Sequence, residues 1–171
     1  TSTTAHNYVK SVSAFDGTLL PSTAPSITAD GNRNRDYSQD LRLTSPRDQR
    51  FRWLAGRYYY TFNVGKSFEF VQATRSRNGF ESDSAVTNVA AYAMVEADLT
   101  DTITITGELR RQEEEIQANG LFAPGVARPG ARSATFEATL PRVTLRYEPN
   151  ENLNLYAVAA KGNKPGGFNS F

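Results

Sequence analysis

Val86-Thr-Asn-Val-Ala-Ala-Tyr-Ala-Met-Val-Glu-Ala-Asp-Leu99, then Thr100-Asp101, then Thr102-Ile-Thr-Ile-Thr-Gly-Glu-Leu-Arg-Arg-Gln112 is the stretch on which the fold turns. Side chains alternate across a strand, so period-two patterning marks a sheet whose two faces meet different surroundings. Val89, Ala91, Ala93, Val95, Ala97 and Leu99 fall on one clean apolar face, while Asn88, Glu96 and Asp98 share the other with Ala90, Tyr92 and Met94. In the second run Ile103, Ile105, Gly107 and Leu109 oppose Thr104, Thr106, Glu108, Arg110 and Gln112. A helix would mix Ile with Thr on every face, and the β-branched content favours strand.

Working outward, the same alternation recurs at Tyr8 to Phe15, Tyr37 to Thr44, Leu54 to Phe62, Leu140 to Tyr147 and Leu153 to Lys161, which makes seven strands in all. Leu41 and Leu43 oppose Ser38, Asp40, Arg42 and Thr44; Leu54, Gly56, Tyr58, Tyr60 and Phe62 oppose Arg57 and Tyr59; Val143, Leu145 and Tyr147 oppose Arg142, Thr144 and Arg146. The connections alternate in length. Ser45 to Arg50, Thr100-Asp101 and Glu148 to Asn152 are short and built of turn-forming residues, whereas Asp16 to Asn34, Val64 to Ala85 and Glu113 to Ala134 are long, polar and rich in Gly, Pro, Ser, Asn and Arg. A soluble sandwich has no reason to sort its connections by length onto opposite ends; a membrane-spanning barrel does. The predicted fold is therefore all-β, an antiparallel up-and-down meander forming an arc of a large transmembrane β-barrel, with about seven strands, short periplasmic turns and long extracellular loops.

Composition agrees without deciding. The 171 residues are 39% hydrophobic, which suits strands apolar only at alternate positions, and no apolar run is long enough for a transmembrane helix. The formal charge of +1 is interspersed, with no concentrated basic stripe for nucleic acid. Cysteine is absent, which fits an oxidising compartment and the cytosol equally. Phe15, Tyr37, Phe51, Trp53, Tyr60, Phe62, Phe136, Tyr147 and Tyr156 stand near strand ends, where they serve an interfacial aromatic girdle or simply follow the strand preference of aromatics.

Particular runs resemble a family. Ser38-Gln-Asp-Leu-Arg-Leu-Thr-Ser-Pro46 followed by Phe51-Arg-Trp-Leu-Ala-Gly-Arg-Tyr-Tyr59, the segment Val9-Lys-Ser-Val-Ser-Ala-Phe15, and above all Leu145-Arg-Tyr-Glu-Pro149 through Leu153-Asn-Leu-Tyr-Ala157 to Lys161-Gly-Asn-Lys-Pro-Gly-Gly-Phe-Asn169 are similar, in this order, to strand-turn-strand elements of TonB-dependent outer-membrane receptors. The resemblance implies a plugged barrel of roughly 22 strands, located in the bacterial outer membrane, that takes up a scarce ligand, most often a ferric siderophore. Energy is supplied by the TonB coupling protein acting on the plug, and lipid and lipopolysaccharide surround the wall. On this reading residues 1–171 are part of the barrel, with the plug and remaining strands lying elsewhere, and the arc alone is expected to be inactive.

The residues that could carry chemistry point the same way. His6 is the only histidine, so a histidine-based triad or metal cluster cannot be assembled from this sequence. Glu113, Glu114 and Glu115 lack the oxygen-ligand spacing of a calcium loop and read as a solvated run where a strand leaves the membrane. No Gly-x-Ser-x-Gly elbow occurs, and Gly162 to Gly167 lacks the order of a phosphate loop, so neither catalysis nor a cofactor is expected. Ligand-binding candidates are Arg75, Arg77, Phe80, Phe122 and Arg128 in the long connections, since an anionic chelate favours Arg forks and aromatic faces. Arg42, Glu108, Arg110, Arg142 and Arg146 are expected to line the lumen, with opposite charges pairing. The competing reading is a soluble carbohydrate-binding module in which Trp53 and Tyr58-Tyr59-Tyr60 are stacking platforms; it requires the apolar face to be sealed inside one molecule.

Overall fold

The computed structural model describes residues 1–16, 26–72, 77–119, 132–164 and 166–168. Seven strands form one antiparallel sheet in sequence order: β1 (Ser2–Asp16), β2 (Ser26–Thr44), β3 (Phe51–Gln72), β4 (Arg77–Asp98), β5 (Ile103–Ala118), β6 (Arg132–Asn150) and β7 (Leu153–Ala160). The turns at 45–50, 99–102 and 151–152 fall where turn chemistry predicts. At the opposite end the strands run far beyond their alternating cores. Most of the polar segments read as loops continue the ladders, so Asp30 pairs with Phe68, Ser67 with Glu81 and Ala118 with Arg132. Hydrophobic alternation ends where both faces are wet, yet backbone pairing needs no hydrophobic contrast to continue.

Alternating exposure identifies the sheet's two faces, the crowded one being the inner, concave side. On β5, Thr104, Thr106, Glu108, Arg110, Gln112 and Glu114 are crowded on the concave side, while Ile105, Gly107, Leu109, Arg111 and Glu113 stand exposed on the convex side. Register carries this facing to every strand. One convex row runs Phe51, Ala97, Ile105, Leu145, Ala157; the next runs Trp53, Val95, Gly107, Val143, Ala159; a third runs Leu43, Ala55, Ala93, Leu109, Pro141. These rows make a continuous apolar band with Leu43 69% and Leu109 50% exposed, and among the described residues Ala90 is the one fully buried apolar side chain. Among the described residues the strands form a single layer, and the second sheet that the soluble-sandwich reading requires over the apolar face is not among them. β1 and β7 each keep one edge unpaired, so the sheet does not close.

Two facings differ from appearance. Leu54, Tyr58, Tyr60 and Phe62, the greasier set on β3, pair with Met94, Ala90, Asn88 and Val86 and lie on the concave side, leaving Trp53, Arg57 and Tyr59 convex. Of the nine aromatics suited to a girdle, Tyr37, Phe51, Trp53 and Tyr147 are convex, whereas Phe15, Tyr60, Phe62, Phe136 and Tyr156 face the other way. Alternation states which residues share a face, and only the neighbour's register states which face it is.

The short turns also report strand tilt. A path perpendicular to the strands runs from Thr44, beside the first turn, through Leu54, Met94, Glu108 and Arg142 to Ala160, yet the last turn lies seven residues further along β7, before Leu153. Seven residues at about 3.3 Å against five strand spacings of about 4.8 Å give a tilt of about 45°. That is the inclination of strands in outer-membrane barrels.

At the turn end of the concave face, Arg52 holds two acids of β4: its Nε donates to Glu96 Oε1 at 2.7 Å and its two terminal nitrogens to the Asp98 carboxylate at 2.6 and 2.7 Å. Thr104 donates to Asp98 and Thr106 to Glu96, extending the network onto β5. Arg52→Gln is expected to leave the paired acids opposed and to raise amide hydrogen exchange at Phe51–Leu54 and Val95–Asp98 in the full-length protein. Unchanged exchange would mean that water already carries this network.

Candidate functional site

The middle of the concave face is built around a glycine. Gly56 sits inside β3 between Arg42 on β2 and Tyr92 on β4, and a Cβ there would overlap the Tyr92 ring. Its absence lets Tyr92 lie flat across β3 and reach the second strand over. Tyr92 Oη donates to Asp40 Oδ1 at 2.5 Å and accepts from Arg42 Nε at 2.9 Å, while Arg42 also donates to Asp40 Oδ2. The Arg42 guanidinium stands 5.9 Å from the centre of the Tyr92 ring. An interior strand glycine is a sequence mark of such close approach, although it does not name the side chain that uses the space.

Beside this brace runs a column of aromatics. Tyr58 and Tyr60 lie with ring centres 6.4 Å apart and nearly parallel, Phe62 follows on the same face, and higher up Phe68 meets Phe80 across the β3–β4 ladder at 6.4 Å. Arg110 covers the Tyr58 ring at 5.4 Å and is held there by hydrogen bonds to Gln112 and Asn88. Below them a groove of about 550 Å³ is lined by Asp40, Arg42, Tyr58, Tyr92, Arg110 and Arg142. The surface thus offers flat π-faces, fixed Arg donors and carboxylate acceptors side by side, which suits reversible contact with a polar ligand carrying rings or anionic groups.

The lumen-lining residues expected from sequence are placed on this face. Arg42 pairs with Asp40, Arg142 stands 3.8 Å from Glu108 and Arg146 lies 3.5 Å from Glu148. Of the candidate ligand residues, Phe80 is in β4 rather than in a loop and packs on Phe68, and Arg77 is the first residue of the same strand. Arg75, Phe122 and Arg128 lie outside the described residues. The Glu113–Glu115 run is inside β5, where Glu114 accepts from Asn88, and Glu115 accepts from Gln117 and Ser133. Among the described residues no group of three or more His, Asp or Glu is placed to hold a metal ion. The Tyr92 brace is what sequence reasoning did not assemble, because it depends on register across three strands; the Tyr58–Tyr60 column follows from alternation along β3, and only its concave facing needs the neighbours' register.

Residues 2–171 match a family model described as TonB dependent receptor-like, beta-barrel. Among solved structures, the chain is similar to the ferric yersiniabactin uptake receptor FyuA from Yersinia pestis, with a TM-score of 0.70 and 18% identity, covering 85% of this chain and 23% of that one. It is also similar to the ferric citrate transporter FecA in its unliganded form, with a TM-score of 0.54 and 14% identity over 92% of this chain and 24% of that one. The chain therefore spans about a quarter of the length of these proteins.

Proposed function

Because the chain belongs to the TonB-dependent receptor β-barrel family, a family of outer-membrane receptors and transporters, we propose that it is an arc of the wall of a receptor that carries a scarce ligand across the outer membrane. A ferric siderophore or a similar chelate is the ligand class, and the TonB protein, acting on a plug encoded in the rest of the protein, is the energy source. The concave column of Tyr58, Tyr60 and Phe62, flanked by Arg42 and Arg110, is the observation that carries this reading. It is a polar and aromatic track on the face opposite an apolar band. The names of the two similar receptors, for ferric yersiniabactin and ferric citrate, support a chelated-iron ligand. Arg75, Arg77, Phe122 and Arg128, with Phe80, are proposed to meet the ligand first at the outer end, and the charges on the concave face to meet the plug.

The test uses the full-length receptor in iron-starved cells. Tyr58→Ala/Tyr60→Ala is expected to lower uptake of radiolabelled ferric chelate about tenfold, the loss of two stacking contacts of about 0.7 kcal/mol each, while receptor abundance in the outer membrane stays unchanged. Undiminished uptake across a panel of siderophores that the wild type transports would remove the track from the ligand path.

A further inference from the structure

Between β6 and β7 the ladder stops while the strand beside it goes on. The two strands pair from the last short turn out to Arg142 and Ala160, and one further rung follows, a single hydrogen bond from Lys161 N to Pro141 O at 3.0 Å. β6 continues outward over residues 132–140, paired with β5 throughout. Among the described residues no backbone hydrogen bond joins 162–168 to that outer half. The cause lies in the residues. Opposed residues of a hydrogen-bonded antiparallel pair exchange two N–H···O bonds, and the rung at Pro141 is only half made because proline has no N–H. Carrying the same register outward would set Pro165, which has no N–H either, opposite Glu137.

The ladder ends where the outward face of β6 turns polar. Pro141 closes the third apolar row, and the next outward-facing residues on β6 are Thr139, Glu137, Thr135 and Ser133. Unpaired backbone groups are not tolerated in hydrocarbon, whereas beyond it water satisfies them. The two sides of the resulting slot are held unequally. Arg111 donates to Thr139 Oγ1 at 2.9 Å and to Glu137, and Ser133 donates to Glu115 at 3.1 Å, so the outer half of β6 is fastened to β5. Across the slot Gly166 falls in register with Phe136, and a Cβ there would overlap the Phe136 ring. The ring thus lies on the glycine as Tyr92 lies on Gly56, an aromatic cover for a strand glycine, but with no ladder bond beside it. Gly162 follows the last rung directly, and a Cβ there would meet nothing within 4 Å. A glycine's backbone freedom at the end of a ladder makes a hinge.

We propose that the run beginning at Gly162 and carrying Gly166 is a flap at the outer rim of the wall, hinged beside Pro141 and clasped by the Phe136 ring, and that its opening widens the mouth through which the ligand enters. Opening breaks no ladder bond, only the contact of one ring with one glycine. The role in ligand entry rests on the receptor reading given above; the motion does not.

The motion is tested in the full-length receptor, in phosphatidylcholine nanodiscs, with spin labels on Thr135→Cys/Gly167→Cys across the slot and, separately, on Val143→Cys/Ala159→Cys inside the ladder. Dipolar broadening of the paramagnetic resonance spectrum is strong for opposed labels and lost when they separate. The ladder pair is expected to be broadened throughout, and the slot pair to show a broadened and an unbroadened population. Phe136→Ala is expected to raise the unbroadened fraction at least threefold. Uniform broadening across the slot, unchanged by Phe136→Ala, overturns the flap. Should Phe136→Ala fail to fold, Gly166→Ala, whose methyl displaces the ring, is expected to shift the populations in the same direction, and no shift there also overturns it. The role is tested by locking the slot with a Thr139→Cys/Asn163→Cys disulfide, which is expected to lower uptake of a radiolabelled ferric siderophore at least tenfold until dithiothreitol restores it. The Val143→Cys/Ala159→Cys disulfide is expected to leave uptake at the wild-type level. Undiminished uptake through the locked slot overturns the role in entry. A wild type that takes up no ferric siderophore yet shows both populations supports the flap and removes the chelate as its cargo.

Discussion

Val95→Arg in the full-length receptor is expected to abolish stable insertion into the outer membrane, whereas Met94→Arg, one residue away, is expected to insert normally. Val95 lies on the convex face between Trp53 and Gly107, is 42% exposed in this open sheet and stands four residues from Leu99 at the short turn. At about 3.3 Å per residue and a 45° tilt it lies about 10 Å above that turn, near the middle of the apolar band, where Arg on the lipid face costs about 2–4 kcal/mol. Met94 pairs with Leu54 and Glu108 on the concave side, so an Arg there meets a carboxylate and water. The measurement is the amount of heat-resistant, folded receptor in outer-membrane fractions. Equal loss in both variants, or in neither, would reverse the facing assigned to β4. Ala93 and Ile105 share Val95's face and are expected to respond to Arg in the same direction.

Gly56→Val is expected to destabilise the full-length receptor by about 1–3 kcal/mol, the usual range for forcing carbon atoms into an occupied space. The new side chain would occupy the place of the Tyr92 ring, so Tyr92 must swing away from Asp40 and Arg42, dissolving the brace over three strands. Urea unfolding in detergent gives the free-energy change. A double-mutant cycle supplies the decisive comparison: Tyr92→Ser removes the ring, and Gly56→Val is expected to cost markedly less in that background than in the wild type. Additive costs would show that the glycine serves the backbone of β3 and not the ring above it.

Much of this architecture is legible in the residues. The Val86–Gln112 hairpin declares both its strands and its turn, since Ile103, Ile105 and Leu109 alternate with Thr and charge on either side of a two-residue Thr-Asp break. The full extent of the strands is not legible at Asp30 or Ser82, where neither face is apolar and alternation carries no contrast. Facing is not legible on β3, because Trp53, Ala55 and Tyr59 look as suited to lipid as Leu54, Tyr58 and Tyr60. Nor is the candidate site, because Asp40, Gly56 and Tyr92 come together only through two successive registers that no local pattern encodes. The strand at Phe80 is not legible either, since a polar neighbourhood conceals it.

The oblique course of the strands has a mechanical meaning. A force directed along the barrel axis resolves about equally into a component that slides neighbouring strands past one another and a component that peels them apart. Sliding strains many ladder bonds together, whereas peeling breaks them one after another. A wall with this pitch therefore meets an axial tug partly as torsion, and the Tyr92 strut, pinned from β4 to β2, is positioned to stiffen the patch of wall where such a twist would otherwise open a seam.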